Sequence, residues 1–320
     1  MKKIAILTSG GDAPGMNACI RAVVRSAKYY GLDVLGIRRG YQGLLEKDYF
    51  DMGMRSVSDI IQRGGTMLFS ARSSEFPTTE GKQKAADNLR EQGVEGLVVI
   101  GGDGSLRGAR ALAVEHGIKT IGIPGTIDND LAYTDYTLGF DTAVNTAIEL
   151  VNKLRDTMTS HERVNIVEVM GRHCGDIALY VGISCGAEIV ALPEKPITVQ
   201  EIADRILRSR DKGKRSNVII LAEGAGDAGE MCKELSKLVP YNVRATELGH
   251  IQRGGSPTMM DRLLACQFGA YAVDLLRAGK TNRVVGIRDN KIFDQDIIEA
   301  LNMPRVFNEK LYEITKILSR

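Results

Sequence analysis

Leu97-Val98-Val99-Ile100 runs without a break into Gly101-Gly102-Asp103-Gly104-Ser105. A short continuous apolar run that stops on glycines reads as a buried strand opening into a tight turn. The sign recurs on either side. Residues 4–7 pass through Thr8 and Ser9 into Gly10-Gly11-Asp12-Ala13-Pro14-Gly15, and residues 120–123 pass into Pro124-Gly125-Thr126-Ile127-Asp128-Asn129-Asp130. Similar runs fall at 34–37, 166–169, 189–192, 218–221 and 284–287. Between them, Ile20, Val23, Val24, Ala27 and Val144, Ala147, Ile148, Val151 keep the i, i+3, i+4, i+7 spacing of a helix face. Continuous apolar strands separated by helices predict an α/β fold of mainly parallel sheets flanked by helices. A helix over 140–158 is long enough to link two lobes. In such sheets ligands bind at the carboxyl ends of the strands, where these glycine turns lie.

The 320 residues suit about two domains. With 43% hydrophobic and 26% charged residues the chain is of ordinary globular composition, and a net charge of +2 does not mark a nucleic-acid binder. No apolar stretch of about 18 residues predicts a membrane span, and the apolar run at 4–7 is too short for a signal sequence. Five cysteines (Cys19, Cys174, Cys185, Cys232, Cys266) at wide spacing, with no CxxC pair, predict reduced thiols. His173-Cys174 lacks a second pair at metal-ligand spacing and reads as structural.

The turn 10–15 leads into a helix starting near Met16, where glycines and helix N–H groups admit a phosphate. A tight βα loop accounts for the same residues equally well. In 101–105 a carboxylate stands between glycines, open to Mg²⁺, which takes one or two carboxylates plus substrate phosphates; Ser105 is placed to cap the next helix. In 124–130, Asp128 and Asp130 are separated only by Asn129. One can accept a proton from a hydroxyl while the other holds a metal or a cation. Arg72, Arg172, Arg244 and Arg253 offer donor forks that match phosphate oxygens; any one alone reads more readily as a surface ion-pair partner, and glycine neighbours favour the anion reading at Arg172 and Arg253. Arg21 and Arg25 share a helix face at i, i+4, and Lys212, Lys214 and Arg215 form a basic loop after a helix from Thr198. A solvated face and a phosphate site both remain open for these clusters. Ile61-Gln62-Arg63-Gly64-Gly65-Thr66 is echoed by Ile251-Gln252-Arg253-Gly254-Gly255-Ser256, a match too short to establish a duplication.

Taken in order, these motifs resemble the bacterial ATP-dependent 6-phosphofructokinases over essentially the whole chain, from Leu7 through the 8–17 segment to Gly249-His250-Ile251-Gln252-Arg253-Gly254-Gly255-Ser256-Pro257. The resemblance implies transfer of the ATP γ-phosphoryl group to the 1-hydroxyl of fructose 6-phosphate, a step of glycolysis, in the cytoplasm. It implies Asp128 as base, with Arg72, Thr126 and Asp130 in the catalytic set, and Asp103 as the Mg²⁺ ligand. Gly11, Arg72, Ser73, Gly102, Asp103, Gly104 and Ser105 would hold ATP. Thr126, Asp128, Met170, Gly171, Arg172, Glu223, His250 and Arg253 would meet fructose 6-phosphate, with Arg163 and Arg244 reaching into a neighbouring subunit's site of a homotetramer. Arg21, Arg25, Arg155, Glu188, Lys212 and Lys214 would form an effector site for ADP and phosphoenolpyruvate.

The same resemblance places an ATP lobe at 1–139 and 252–303 and a sugar-phosphate lobe at 140–251 and 304–320, with the active site in the cleft between them. Pyrophosphate-dependent relatives resemble GGDD and PKTIDND, whereas Gly104 and Gly125 here leave room for ATP. The chain departs from the family pattern at Ser73, at Met54 (with Arg55 one step later) and at Ser216. Two alternatives are a pyrophosphate-dependent phosphofructokinase and a nucleotide-sensing protein that has lost chemistry. The intact Asp103, Asp128 and Asp130 speak against the second, and the turn 10–15 does not fit the GxGxxG of a dinucleotide-binding oxidoreductase.

Overall fold

A computed structural model describes residues 1–319. Its contacts divide the chain into two units: Met1–Ile127, Leu131–Thr142 and Arg253–Arg305 form one, while Asp128–Asp130, Ala143–Gln252 and the chain from Val306 on form the other.

The first unit carries strands β1 (Lys3–Ser9), β2 (Asp33–Ile37), β3 (Tyr49–Met52), β4 (Gly96–Gly101) and β5 (Thr120–Pro124), and later β10 (Arg283–Arg288) and β11 (Lys291–Asp296). They form one sheet in the order β11-β10-β5-β4-β1-β2-β3, parallel except for the antiparallel edges β3 and β11. Its helices are α1 (Met16–Tyr29), α2 (Gly40–Glu46), α3 (Thr79–Glu91) and α4 (Asp103–His116), joined late in the chain by α9 (Met259–Arg277) and α10 (Ile297–Leu301). Alternate residues of a strand point to opposite faces, yet Ile4, Ala5, Ile6 and Leu7 are all fully buried. Both faces of the sheet are therefore covered, which is why β1 and β4 read as continuous apolar runs. Ala5, Leu7, Leu97 and Val99 pack with Leu89 of α3 and Leu106, Ala109 and Leu112 of α4. On α1, Ile20, Val23, Val24 and Ala27 are the buried stripe expected from their spacing.

The second unit carries β6 (Val164–Val169), β7 (Ile189–Ala191), β8 (Asn217–Ala222) and β9 (Val243–Glu247) as a parallel sheet in the order β7-β8-β6-β9. Its helices are α5 (Phe140–His161, most of its length here), α6 (Asp176–Ser184), α7 (Val199–Asp211), α8 (Ala228–Leu238) and α11 (Glu309–Leu318). The start of α7 is fixed by a capping box: Thr198 Oγ1 accepts from the Glu201 N–H, and the Glu201 carboxylate accepts from the Thr198 N–H at 2.8 Å. Val164, Ile166, Ile219, Leu221, Ile202 and Leu235 form its core.

All eight apolar runs become strands. Three strands, β3, β9 and β11, were not anticipated, and each lies at a sheet edge where one side of the strand is solvated and the apolar run is broken. Ser105 does not cap α4. Gly102 occupies the N-cap, and Ser105 is buried within the first turn, where its carbonyl accepts the Tyr41 hydroxyl at 2.7 Å. The five cysteines are free thiols. No helix among the described residues is long and apolar enough to cross a membrane.

Candidate active site

Strand register brings the three glycine turns of the first unit to one edge. Ser9 pairs with Gly101, and Gly101 with Pro124, so β1, β4 and β5 end level. The chain reverses its direction of travel across the sheet between β1 and β4, since β2 lies on one side of β1 and β4 on the other. That is the switch point at which open α/β sheets bind ligands.

At this edge the Asp103 carboxylate sits in the first turn of α4, about half exposed, and Arg107 grips it with two bonds, Nε to Oδ2 at 2.8 Å and Nη2 to Oδ1 at 3.0 Å. Arginine at i+4 from an aspartate is a helix-surface pair, and that spacing is the sequence signal for Arg107 beside Asp103. The pair fixes the carboxylate's rotamer while leaving lone pairs on both oxygens. Arg253 Nη1 donates to the Asp12 carbonyl at 3.1 Å, and a β-carbon at Gly11 would fall 2.5 Å from that nitrogen, so only glycine lets the guanidinium lie on this turn undisturbed. The segment leading to Arg72 is tied to the same edge: Thr8 Oγ1 donates to the Phe69 carbonyl at 2.9 Å and Ser70 Oγ to the Gly10 carbonyl at 2.5 Å. Arg72 itself is exposed, while Ser73 Oγ accepts the Phe76 N–H at 3.1 Å and starts a turn. Thr126 is buried, its carbonyl accepting the Thr137 hydroxyl at 2.6 Å.

In the second unit Asp128 is 1% exposed. The Arg172 Nε stands 3.4 Å from its Oδ2. Asn129 and Arg172 both adopt left-handed backbone, φ 51° and 54°; asparagine reaches this region readily, whereas for an arginine it carries a cost that the surroundings must offset. The enforcing bonds are visible. Asn129 Nδ2 donates to Asp176 Oδ2 at 3.0 Å, and Glu223 Oε1 accepts the N–H groups of Gly171 (3.1 Å) and Arg172 (2.5 Å). Register explains the last pair. Val169 lies opposite Ala222, so the loops leaving β6 and β8 start side by side. Met170 N–H donates to Gln252 Oε1 at 3.3 Å, and the fully buried Gln252 anchors the 3-10 turn Gly249–Arg253 that carries the exposed His250. Arg163 and Arg244 come together with Asn165 and Thr246 around a cavity of about 270 Å³.

Among the residues assigned to effectors, Glu188 and Lys214 form an ion pair at 2.6 Å and line one cavity with Lys212. Arg155 Nη2 donates to the carbonyls of Cys185 (2.6 Å) and Gly186 (2.7 Å). Arg21 and Arg25 lie on α1 of the first unit, and Arg25 Nε is buried without a hydrogen-bond partner. The echoed hexapeptides prove to be neighbours: a β-carbon at Gly64 would fall 2.3 Å from the Gly255 carbonyl oxygen, and Ser256 Oγ donates to the Gln62 carbonyl at 2.7 Å.

The Phosphofructokinase family profile matches residues 3–276. The chain belongs to the phosphofructokinase family. It is 61% identical over 319 residues to an ATP-dependent 6-phosphofructokinase of Clostridium tetani and 60% identical over 319 residues to one of Clostridioides difficile, the matches spanning 100% of both chains in each case. Among solved structures, phosphofructokinase from Saccharomyces cerevisiae aligns with TM-score 0.88 and 37% identity, covering 99% of this chain and 47% of the yeast chain. A pyrophosphate-dependent phosphofructokinase from Marinobacter aquaeolei, 24% identical, shares the phosphofructokinase fold at TM-score 0.85 over 97% of this chain and 86% of its own.

Residues for a divalent ion fit the chemistry of this family. Among the described residues no three His, Cys, Asp or Glu side chains gather into a cage. Mg²⁺ needs none, because it is commonly held by one or two carboxylates with phosphates and water, and at this edge the carboxylate of Asp103 is about half exposed.

Proposed function

We propose that the protein transfers the γ-phosphoryl group of ATP to the 1-hydroxyl of fructose 6-phosphate, yielding fructose 1,6-bisphosphate and ADP. The observation that carries the reading is the Asp128–Arg172 arrangement, a buried carboxylate with a guanidinium 3.4 Å away, in a chain 61% identical to an ATP-dependent 6-phosphofructokinase.

Asp128 accepts the proton of the sugar hydroxyl as that oxygen attacks phosphorus, and the P–O bond to ADP breaks on the opposite side. Asp130 stands beside it on the same loop. Arg72 offers its fork to the charge on the transferring group, and Thr126 holds that group. Phosphoryl transfer proceeds through a loose state with little covalent demand on the protein, so positioned charge is what the site must supply. Asp103 would hold Mg²⁺ with the nucleotide phosphates, and the ion, when bound, neutralises phosphate charge. Gly11, Ser73, Gly102, Gly104 and Ser105 belong to the nucleotide's cradle.

Met170, Gly171, Arg172, Glu223, His250 and Arg253 receive fructose 6-phosphate. Arg163 and Arg244 extend into a neighbour's site in a homotetramer, and Arg21, Arg25, Arg155, Glu188, Lys212 and Lys214 bind ADP or phosphoenolpyruvate as effectors. The two units supply the nucleotide and the sugar-phosphate sides respectively, and the enzyme works in the cytoplasm.

The test is a coupled assay with fructose 6-phosphate and Mg²⁺ that compares ATP with pyrophosphate. Turnover with ATP alone supports the reading. Turnover with pyrophosphate alone overturns the donor, and turnover with neither overturns the kinase.

A further inference from the structure

Along α7 of the second unit runs a cavity of about 640 Å³. Glu188, Lys212 and Lys214, already assigned to an effector, occupy one part of its wall. The wall then continues onto residues that the assignment leaves out: Arg205 and Arg208 on α7, and Lys316 on α11. Arg205 and Arg208 are three apart and so share a helix face. Lys316 is held charged by Glu313 at 2.6 Å, and Arg205 lies near enough to oppose that charge.

Five cationic side chains thus line the cavity; Lys214 is paired with Glu188 and Lys316 with Glu313, each at 2.6 Å, which leaves Arg205, Arg208 and Lys212 as the excess positive charge. Like charges gathered on one wall repel one another, and an anion relieves that repulsion. The geometry sets what kind of anion. At a rise of about 1.5 Å per residue, Arg205 and Lys212 stand about 10 Å apart along the helix. That span exceeds a single phosphate group, and the cavity volume lies within the range of small-molecule sites rather than inorganic ions.

We propose that this cavity binds a small molecule with a phosphate at each end, one held by Lys212 and Lys214 and the other by Arg205, Arg208 and Lys316. The inference rests on the effector reading for the first arm and adds the second. A second arm makes the site select for ligand length as well as charge, because a ligand with one phosphate leaves the far cations uncompensated.

Calorimetric titration of the full chain at fixed salt tests it, using hexane-1,6-diol bisphosphate and hexyl monophosphate as probes. Wild type is expected to bind the bisphosphate at least about tenfold more tightly than the monophosphate. The double variant Arg205→Ser with Arg208→Ser loses that preference while still binding the monophosphate. Equal affinity for both probes in wild type, or an undiminished preference in the double variant, overturns the proposal. In parallel, the shift that ADP causes in the half-saturating fructose 6-phosphate concentration reads the effector assignment separately. If ADP moves nothing while the bisphosphate preference persists and depends on Arg205 and Arg208, the effector reading falls and the two-armed cavity stands.

Discussion

Arg172 Nε lies 3.4 Å from Asp128 Oδ2 on a backbone of left-handed conformation, φ 54°, that Glu223 holds from below by accepting two consecutive N–H groups. The carboxylate is almost fully buried, whereas the arginine side chain is 62% exposed. The carboxylate is therefore fixed by its surroundings, and the cation beside it keeps one side open to solvent.

If Asp128 is the base proposed above, replacing it separates chemistry from binding. Asp128→Ser is expected to lower kcat by about 10²–10⁴-fold, the usual worth of a general base. The KM for fructose 6-phosphate should stay within about threefold of wild type, since the loss is felt in the transition state rather than the ground state. Steady-state kinetics with ATP checks this, and a kcat near wild type would remove Asp128 from its role.

Gly104 and Gly125, paired in the sequence as nucleotide determinants, are not equivalent in space. A β-carbon at Gly104 meets nothing within 4 Å, but one at Gly125 falls 2.9 Å from Ile100 Cγ2, 3.1 Å from Met16 Cε and 3.3 Å from the Gly101 nitrogen. Gly104→Asp should fold normally and lose ATP turnover by at least about tenfold, because the new charge repels the nucleotide phosphates. Gly125→Lys should instead cost about 1–3 kcal/mol of stability, as overpacking does. Thermal melts and ATP kinetics on the two single variants distinguish the cases.

Most of the scaffold was legible because buried parallel strands announce themselves as unbroken apolar runs. Residues 97–100 and 218–221 could hardly be anything else. Edge strands such as β9, with Arg244 and Glu247 exposed, carry no such run. Candidate site positions stood out where a residue type is unusual for its setting, and the structure places Asp103 and Asp128 just past the ends of β4 and β5. Their supports did not stand out. Asn129 holding Asp176, Gln252 holding Met170 and Glu223 serving the Gly171 and Arg172 amides join residues 47, 82, 52 and 51 positions apart. Pairings at that separation follow from register, which local patterns do not encode.

Asp261 is another such support. Its carboxylate accepts from the N–H of Gly139 (2.8 Å), and from the N–H (2.9 Å) and hydroxyl (2.5 Å) of Thr142. An amide would face one of these donors with its own N–H. Asp261→Asn should therefore destabilise the protein by about 1–3 kcal/mol despite its matching shape. Burial outweighs the three donors and pushes the Asp261 carboxyl up to about 6 from 3.8. Between those values the native chain keeps a proton that the unfolded chain has released, so rising pH lowers stability across the window, by about 3 kcal/mol when complete. Asn cannot titrate. The stability gap between wild type and Asp261→Asn, followed by denaturant melts from pH 4 to pH 7, should narrow as pH rises; a gap that widens would mean the site stays ionised.

Glu223 offers the sharpest test of whether the Arg172 backbone matters to catalysis. Glu223→Ala leaves the Gly171 and Arg172 N–H groups without their acceptor, at about 1–3 kcal/mol for a charged partner lost. It also releases a left-handed residue whose relaxation to ordinary backbone gains about 1–2 kcal/mol. Arg172 should then leave Asp128, and kcat/KM should fall by about 10²-fold. Glu223→Gln keeps an acceptor oxygen at the same place and should lose far less. A contact made only with fructose 6-phosphate would also weaken activity, so the decisive measurement is a double-mutant cycle with Asp128→Ser. If Glu223 acts through Arg172 on Asp128, its removal costs little once Asp128 is gone, because residues that work as a unit are not additive. If the two losses simply add, Glu223 serves the substrate alone, and the ordering of Arg172 has no part in the chemistry.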